Sequence, residues 1–125
     1  EFLDMERLRT ASSRGEWDES ELACFLAERS MAQRLFLTLL AEKGIISEEE
    51  VLDELRWNIG FPEYGKREVA VMVASINLDA RKLGKEPLFR IRREITDSGL
   101  VRSYELNPKY RDMVRRILRS RQQHT

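Results

Sequence analysis

Cysteine and histidine are almost absent from this 125-residue chain, which holds one of each, Cys24 and His124. One thiol can form neither an internal disulfide nor a thiolate zinc site, and it is typical of a reducing, cytoplasmic location. The sequence also has no glycine-rich phosphate loop and no paired-histidine metal motif. We therefore predict that the chain is not an enzyme and carries no metal or cofactor.

Long apolar runs are missing as well. No segment approaches the roughly 18 consecutive apolar residues of a membrane-spanning helix, and no signal peptide is visible, so we predict no membrane contact. The apolar share of 42% is enough for one hydrophobic core in a chain of this length. We predict a single domain over residues 18–121, a partly disordered arm over 1–17 and a frayed tail over 122–125.

The net charge is zero only as a sum over the whole chain. Residues 1–65 carry 15 acidic and 7 basic side chains, whereas residues 81–121 carry 13 basic and 5 acidic ones. This asymmetry is typical of a basic surface that meets phosphate, or of two halves that attract each other or a second copy. Solvated helix faces that merely differ in charge are the third interpretation.

Residues 66–83 predict a helix with one apolar face and an abrupt end. Apolar residues recur there at helical spacing, and Gly84 follows as a stop signal. The apolar face comprises Val69, Met72, Val73, Ile76, Ala80 and Leu83.

Residues 89–106 change to a period of two, which predicts a β-hairpin. Its first strand alternates apolar and basic side chains, and we expect a slip of the alternation at Glu94-Ile95. Residues 96–99 have turn chemistry, with Gly99 suited to a positive φ.

Capping signals predict the remaining helices. Asp18 is expected to cap the first one, and Ser30 and Ser47 begin the next two with capping-box spacing. Asn107 and Pro108 are expected to begin the last helix. The inward residues expected on the first three are Leu22, Phe25 and Leu26, then Leu35, Phe36, Leu39 and Leu40, then Val51, Leu52 and Leu55.

Together these elements predict a mainly α chain with a small β-hairpin (α+β). Ile45-Ile46 is expected as a short extended link, and residues 58–65 as a loop. The succession of helix, strand, turn and strand after that loop favours a winged helix-turn-helix with extra N- and C-terminal helices.

From Ser30 to Pro108 the chain resembles the winged-helix effector domain of OmpR/PhoB-type response regulators. The resemblance rests on a first helix AQRLFLTLLAEKG, a second helix SEEEVLDELRW, a recognition-type helix ending in RKLG, and the hairpin. The ending SYELNP before another helix is more similar to dimeric repressors of the MarR or PadR kind. These resemblances imply a DNA-binding transcription regulator that forms a homodimer.

A DNA-binding role requires cations on one exposed surface and polar side chains on an exposed helix face. The helix over 66–83 would lie in the major groove of double-stranded DNA, and the basic wing over 89–106 would follow the flanking backbone. The predicted DNA-binding residues are Lys66, Arg67, Ser75, Asn77, Arg81, Lys82, Arg90, Arg92, Arg93 and Arg102.

The alternative function is a winged-helix module for protein-protein interaction or dimerisation that does not bind DNA. It is favoured by the partly apolar outward face of the helix over 66–83. The last helix also has an apolar stripe, which either docks on the chain's own core or pairs with the same helix of a second copy. The predicted interaction surface comprises Phe61, Tyr64, Val71, Leu78, Tyr110, Met113, Val114, Ile117 and Leu118.

Overall fold

The computed structural model of the chain describes residues 15–60 and 64–123, without the side chains of 58, 59 and 121–123. The fold is α+β, as predicted, with helices packed against a three-stranded antiparallel sheet. No helix in the described ranges is long and apolar enough to cross a membrane. In chain order the elements are α1 (Glu19–Ala27), α2 (Met31–Lys43), β1 (Ile45–Ser47), α3 (Glu48–Asp53), a π-helical turn (Glu54–Ile59), α4 (Lys66–Lys82), β2 (Phe89–Thr96), β3 (Gly99–Leu106), a 3₁₀ turn (Pro108–Tyr110) and α5 (Arg111–Gln123).

The predicted helix caps are present. Asp18, Ser30 and Ser47 each accept a hydrogen bond from the backbone NH three residues later, at 2.7 to 3.2 Å. A Glu or Gln side chain returns a bond to the cap in each case, which completes a capping box. Gly44, at a φ of 82°, ends α2. These bonds are local, which explains why the helix starts agree with the prediction.

Three aromatic rings join α2 to the hairpin at the centre of the core. Phe36 of α2 packs edge-to-face against Phe89 of β2 and Tyr104 of β3, with ring centroids 5.1 and 5.2 Å apart. Such pairs stabilise a fold by about 0.5–1.5 kcal/mol beyond the burial of their area. The base of the hairpin is therefore held firmly on the helices.

The inner face of α2 differs from the predicted one. Leu37 is fully buried, whereas Leu35 and Leu39, which were predicted to face inward, are only half-buried at its edge. The reason is that Gln33 and Ala41, which an apolar pattern undercounts, also lie inside. The centre of the buried face is thus rotated away from the leucine pair.

Ile45-Ile46 belongs to a strand and is more than an extended link. β1 pairs antiparallel with β3, with Ile46 opposite Tyr104, so the strand order is β1-β3-β2. Ile46 is buried and Ile45 is exposed. A strand of three residues is too short to show a period of two, and only its pairing partner defines it.

The helix after β1 changes its winding halfway. Val51, Leu52 and Leu55 are buried as predicted. The α-helical part continues as the π-helical turn Glu54–Ile59, which carries Trp57 with 79% of its surface exposed. Single π-helical turns within helices are often found at functional sites.

The predicted inner face of α4 is confirmed at five of its six positions. Leu83 is the exception and is 59% exposed. The helix ends at Lys82, and Gly84 then turns the chain with a φ of 73°, so Leu83 no longer follows the helical stripe. The buried residues are Val69, Met72, Val73, Ile76 and Ala80.

The last helix begins as predicted and is fastened to α2. Asn107 accepts a hydrogen bond from the backbone NH of Lys109 at 3.0 Å. Arg111 donates to the carbonyl oxygens of Ala41 and Glu42 at 2.8 and 2.7 Å. Because these carbonyls lie in the last turn of α2, the arginine serves as its C-terminal cap.

The apolar stripe of α5 packs on the chain's own core. This corrects its assignment to an interaction surface, since side chains covered by their own chain cannot form a dimer face without local unfolding. Met113 is half-buried against the core. The fully covered residues of the stripe are Tyr110, Val114, Ile117 and Leu118.

The end of the predicted N-terminal arm is part of the core. Trp17 is buried; its backbone NH donates to Tyr110 Oη at 3.0 Å and its Nε1 donates to the carbonyl oxygen of Glu86 at 3.0 Å. Gly15 forms a bridge to Lys85. The packed unit therefore begins before the predicted boundary, and the rest of the arm lies outside the described residues.

Candidate functional site

Helix α4 is oriented by polar contacts on its two flanks. On one flank, Gln33 Nε2 donates to Ser75 Oγ at 2.7 Å and to the carbonyl oxygen of Met72 at 3.1 Å. On the other flank, Asn77 Nδ2 donates to the carbonyl oxygen of Phe89 at 3.1 Å. These bonds attach the helix to α2 and β2. The residues on the side of α4 opposite its buried stripe therefore face away from the core.

Ser75 and Asn77 therefore do not lie on the outward face that was predicted to read DNA bases. Both are half-buried, and both bond inside the chain. A helical wheel ranks residues by their angle from the apolar stripe and does not reveal that further elements cover the flanks. We remove these two residues from the candidate site.

The outward face of α4 is apolar in its middle and basic at its ends. Val71 and Leu78 are 64% and 52% exposed. The basic residues have no carboxylate partner in the described part of the chain. They are Lys66 and Arg67 at the start, and Arg81 and Lys82 at the end; all four are exposed.

The β2–β3 hairpin has a continuous register. It runs from Phe89 opposite Leu106 to Thr96 opposite Gly99, without the predicted slip. Gly99 has the predicted positive φ, 114°, after a two-residue turn. Residues directly opposite each other point to the same face of the sheet, so the register assigns every side chain of the hairpin to one of two faces.

On the face that points away from the core, a carboxylate neutralises part of the positive charge. Arg90 donates to Glu105 Oε1 from Nη2 at 2.5 Å and from Nε at 2.7 Å. Arg92 Nη1 lies 3.9 Å from the same oxygen. These two predicted DNA-binding arginines are thus partly satisfied within the hairpin.

On the core-facing side, two arginines stand directly opposite each other. Arg93 of β2 pairs in register with Arg102 of β3. Arg102 Nη1 reaches Glu48 Oε2 at 3.4 Å, whereas Arg93 has no carboxylate partner among the described residues. Like charges in this position destabilise a hairpin, and an external anion would relieve the repulsion.

The acidic residues at the start of α3 have structural roles. Glu48 is buried and accepts a hydrogen bond from Tyr104 Oη at 3.3 Å. Burial, followed by the Glu48 charge, raises the pKa of Tyr104 above its ordinary range. Glu50 pairs with Lys43 at 2.7 Å. No cluster of side chains suited to a metal ion is found in the part of the chain described here.

Beyond the arginines, the hairpin ends in an exposed apolar pair. Ile95 and Leu100 are opposite each other and are 89% and 49% exposed. They lie on the same face as Arg93 and Arg102. Uninterrupted alternation from Phe89 would have assigned Ile95 to this face, but the sequence does not show that the core ends before it.

The remaining residues of the predicted interaction surface are separated. Tyr64 is half-buried and packs against the core. Phe61 and His124 lie outside the described residues, as does the stretch 1–14. Trp57, which was not predicted as a site residue, is the most exposed aromatic side chain described.

Comparisons of the chain with protein-family models, with curated proteins and with solved structures found no match. Its function is therefore inferred from its own geometry. We use the name α4–hairpin surface for the outward face of α4 together with the distal hairpin, residues 92–102.

Proposed function

We propose that the chain is a winged-helix DNA-binding domain of the kind found in transcription regulators, with α4 as recognition helix and the β2–β3 hairpin as wing. The order of helix, strand, two helices and hairpin supports this proposal. So does the strand order β1-β3-β2, in which the short strand after α2 pairs with the second strand of the hairpin. Helices α3 and α4 would form the helix-turn-helix.

The observation that carries the proposal is the positive charge on the α4–hairpin surface that no carboxylate in the described part of the chain neutralises. Arg90, Arg92 and Arg102 have carboxylate partners at 2.5 to 3.9 Å. The other cations of α4 and the hairpin have none among the described residues. DNA phosphates attract such cations and release counterions on contact, which supplies most of the affinity for DNA of any sequence. The cations without a carboxylate partner in the described ranges are Lys66, Arg67, Arg81, Lys82 and Arg93.

The outward residues of α4 indicate how the helix would read bases. Arg67 can donate two hydrogen bonds to the edge of a guanine, while Val71 and Leu78 can pack against thymine methyl groups. These three side chains replace Ser75 and Asn77 as the proposed base contacts, because the latter are used to hold α4 in place.

The proposal is tested by fluorescence anisotropy of a labelled random-sequence duplex at several salt concentrations. We expect a micromolar Kd that weakens steeply with salt. Arg93→Ala should reduce the slope of log K against log salt by about 0.9, the value for one phosphate contact. Arg119→Ala is the matched control, since Arg119 is an exposed arginine of α5 outside the surface. Absence of binding at low salt, or an equal effect in the control, would contradict the proposal.

The same assay identifies the end of α4 that approaches DNA. The two basic pairs at its ends are separated by 15 residues, which corresponds to about 22 Å along a helix. The double variants Lys66→Ala/Arg67→Ala and Arg81→Ala/Lys82→Ala compare the two ends through their salt slopes, because each phosphate contact that is lost lowers the slope by about 0.9. The larger loss marks the end that enters the groove.

A protein-interaction module is the second candidate, because Trp57, Val71 and Leu78 expose large apolar surface. A homodimer would then use the outward face of α4, since the stripe of α5 is covered. Sedimentation equilibrium over a range of concentrations distinguishes the two functions. A dimer that Leu78→Asp dissociates would support the interaction module, whereas a monomer that binds DNA would support the first proposal.

A further inference from the structure

We infer that the hairpin tip is an apolar wedge that enters the minor groove and separates two stacked base pairs. The domain would therefore prefer duplexes that are easily unstacked, such as those with a mismatch or a flexible pyrimidine–purine step. This inference rests on the proposed DNA-binding function and adds the class of DNA that the surface selects.

The wedge consists of Ile95 and Leu100. Their side chains are directly opposite each other in the register, which brings their Cβ atoms within about 5.5 Å. Ile95 is 89% exposed, so little within the described chain covers it. Exposed Ile and Leu are among the side chains that separate base steps in proteins that bend DNA through the minor groove.

The charges behind the tip favour DNA as its occupant. Arg93 and Arg102 lie two residues behind the apolar pair on the same face, a distance of about 7 Å along the strands. An apolar end with cations behind it complements a groove whose floor is made of bases and whose rims are made of phosphates. A purely apolar partner would leave Arg93, which has no carboxylate partner among the described residues, without an anion.

The distal hairpin also has two acidic residues, which differ in their position relative to the wedge. Glu94 is opposite Val101 and points to the other face, away from the wedge. Asp97 lies in the turn, beyond the apolar pair, where its charge opposes the approach of phosphate. We therefore expect Asp97→Asn to tighten DNA binding by about threefold, in line with a modest exposed charge effect.

The test compares two labelled duplexes that differ by one central mismatch, with 2-aminopurine beside it. Wild-type protein should bind the mismatched duplex about tenfold more tightly, because the mismatch lowers the cost of unstacking. The 2-aminopurine fluorescence should rise on binding as the base loses its stacking partner. The Ile95→Ala/Leu100→Ala variant should lose both effects and retain the salt slope, since its cations are intact.

Val101→Ala is the matched control, because it shortens an apolar side chain of the same hairpin on the opposite face. It should keep the mismatch preference and the fluorescence change. Both variants alter exposed residues, so unchanged thermal unfolding would verify that they fold.

The outcomes separate this inference from the proposed function. If wild-type protein binds no DNA, both fail together. Salt-dependent binding without a mismatch preference, or equal losses in the double variant and the Val101 control, would overturn the wedge alone. A dimer that the double variant dissociates would assign the tip to a second copy and would also overturn it.

Discussion

Helices α4 and α5 are both amphipathic, yet the chain covers them differently. The apolar stripe of α5, with Val114 and Leu118, is buried within the chain. Helix α4 has a buried stripe and, in addition, an outward line in which Val71 and Leu78 are exposed. Helical spacing therefore identifies an apolar face, whereas only the neighbouring elements decide whether that face belongs to the core or is left for a partner.

The neighbours account for the difference. Arg111 bonds α5 to the end of α2, and α1 also packs on α5, so its stripe is covered. Helix α4 is held by Gln33 on one flank and by the hairpin through Asn77 on the other. Both contacts lie beside its buried stripe, which leaves the opposite side open in the described part of the chain.

Truncating one leucine in each helix should give the greatest difference in stability. Leu118→Ala should lower the free energy of unfolding by about 2–5 kcal/mol, because it leaves a cavity in the core. Leu78→Ala should change it by less than about 0.5 kcal/mol, because Leu78 is exposed. Urea unfolding measures both values, and equal losses would break the contrast between the helices.

The next effect concerns the contacts of Glu86 with Tyr110 and Lys109, which anchor the start of α5. Tyr110 Oη donates a hydrogen bond to Glu86 Oε1, and Lys109 Nζ lies 3.1 Å from the same oxygen. The hydrogen bond from Tyr110, and after it the contact with Lys109, lower the pKa of Glu86 below its ordinary value of 4.5. A lowered folded-state pKa gives stability that is present above pH 4.5 and is lost as pH falls through the folded value. Glu86→Gln should therefore cost about 1.5 kcal/mol at neutral pH and flatten the acid side of the stability curve.

Urea unfolding between neutral pH and pH 3 tests this anchor. Glu28→Gln is its control, because Glu28 is an exposed carboxylate without a partner among the described residues. If Glu28→Gln showed the same pH dependence as Glu86→Gln, the contacts of Glu86 would not explain the stability that is lost at acid pH.

A smaller effect is expected on the flank of α4. Ser75→Ala should lower the free energy of unfolding by about 0.5–1 kcal/mol, since Gln33 loses one of its two acceptors and keeps the carbonyl of Met72. DNA affinity and sequence preference should stay the same. If Ser75→Ala changed the DNA sequence preference without changing the stability, Ser75 would have to lie on the outward face of α4 and not on its flank.

The smallest effect on stability is expected at Val71. Val71→Ala should change the free energy of unfolding by less than about 0.5 kcal/mol. Its binding to a duplex rich in thymine should weaken relative to a duplex without thymine at the contacted positions, because a methyl contact is lost. Thermal unfolding and competition anisotropy measure the two effects, and a stability loss similar to that of Leu118→Ala would show that this face is buried.

Local chemistry made much of the fold predictable. The caps at Asp18, Ser30 and Ser47, the end of α4 before Gly84 and the turn at Gly99 all depend on interactions within a few residues. The inner stripe of α4 was also predictable, because a helix of this length must bury one face. The exposure of Ile95, Leu100 and Trp57 was not predictable, since the same apolar residues would fit a core.

Signals within the sequence thus predict most helix starts and turns, because capping bonds, glycine conformations and apolar periodicity act between residues close in the chain. The packing of distant elements made Ile45-Ile46 a strand, placed Ser75 and Asn77 where they hold α4, and covered the stripe of α5. It also decided which cations have no carboxylate partner among the described residues. Each of these depends on partners distant in the chain, which only the packing of the elements brings together.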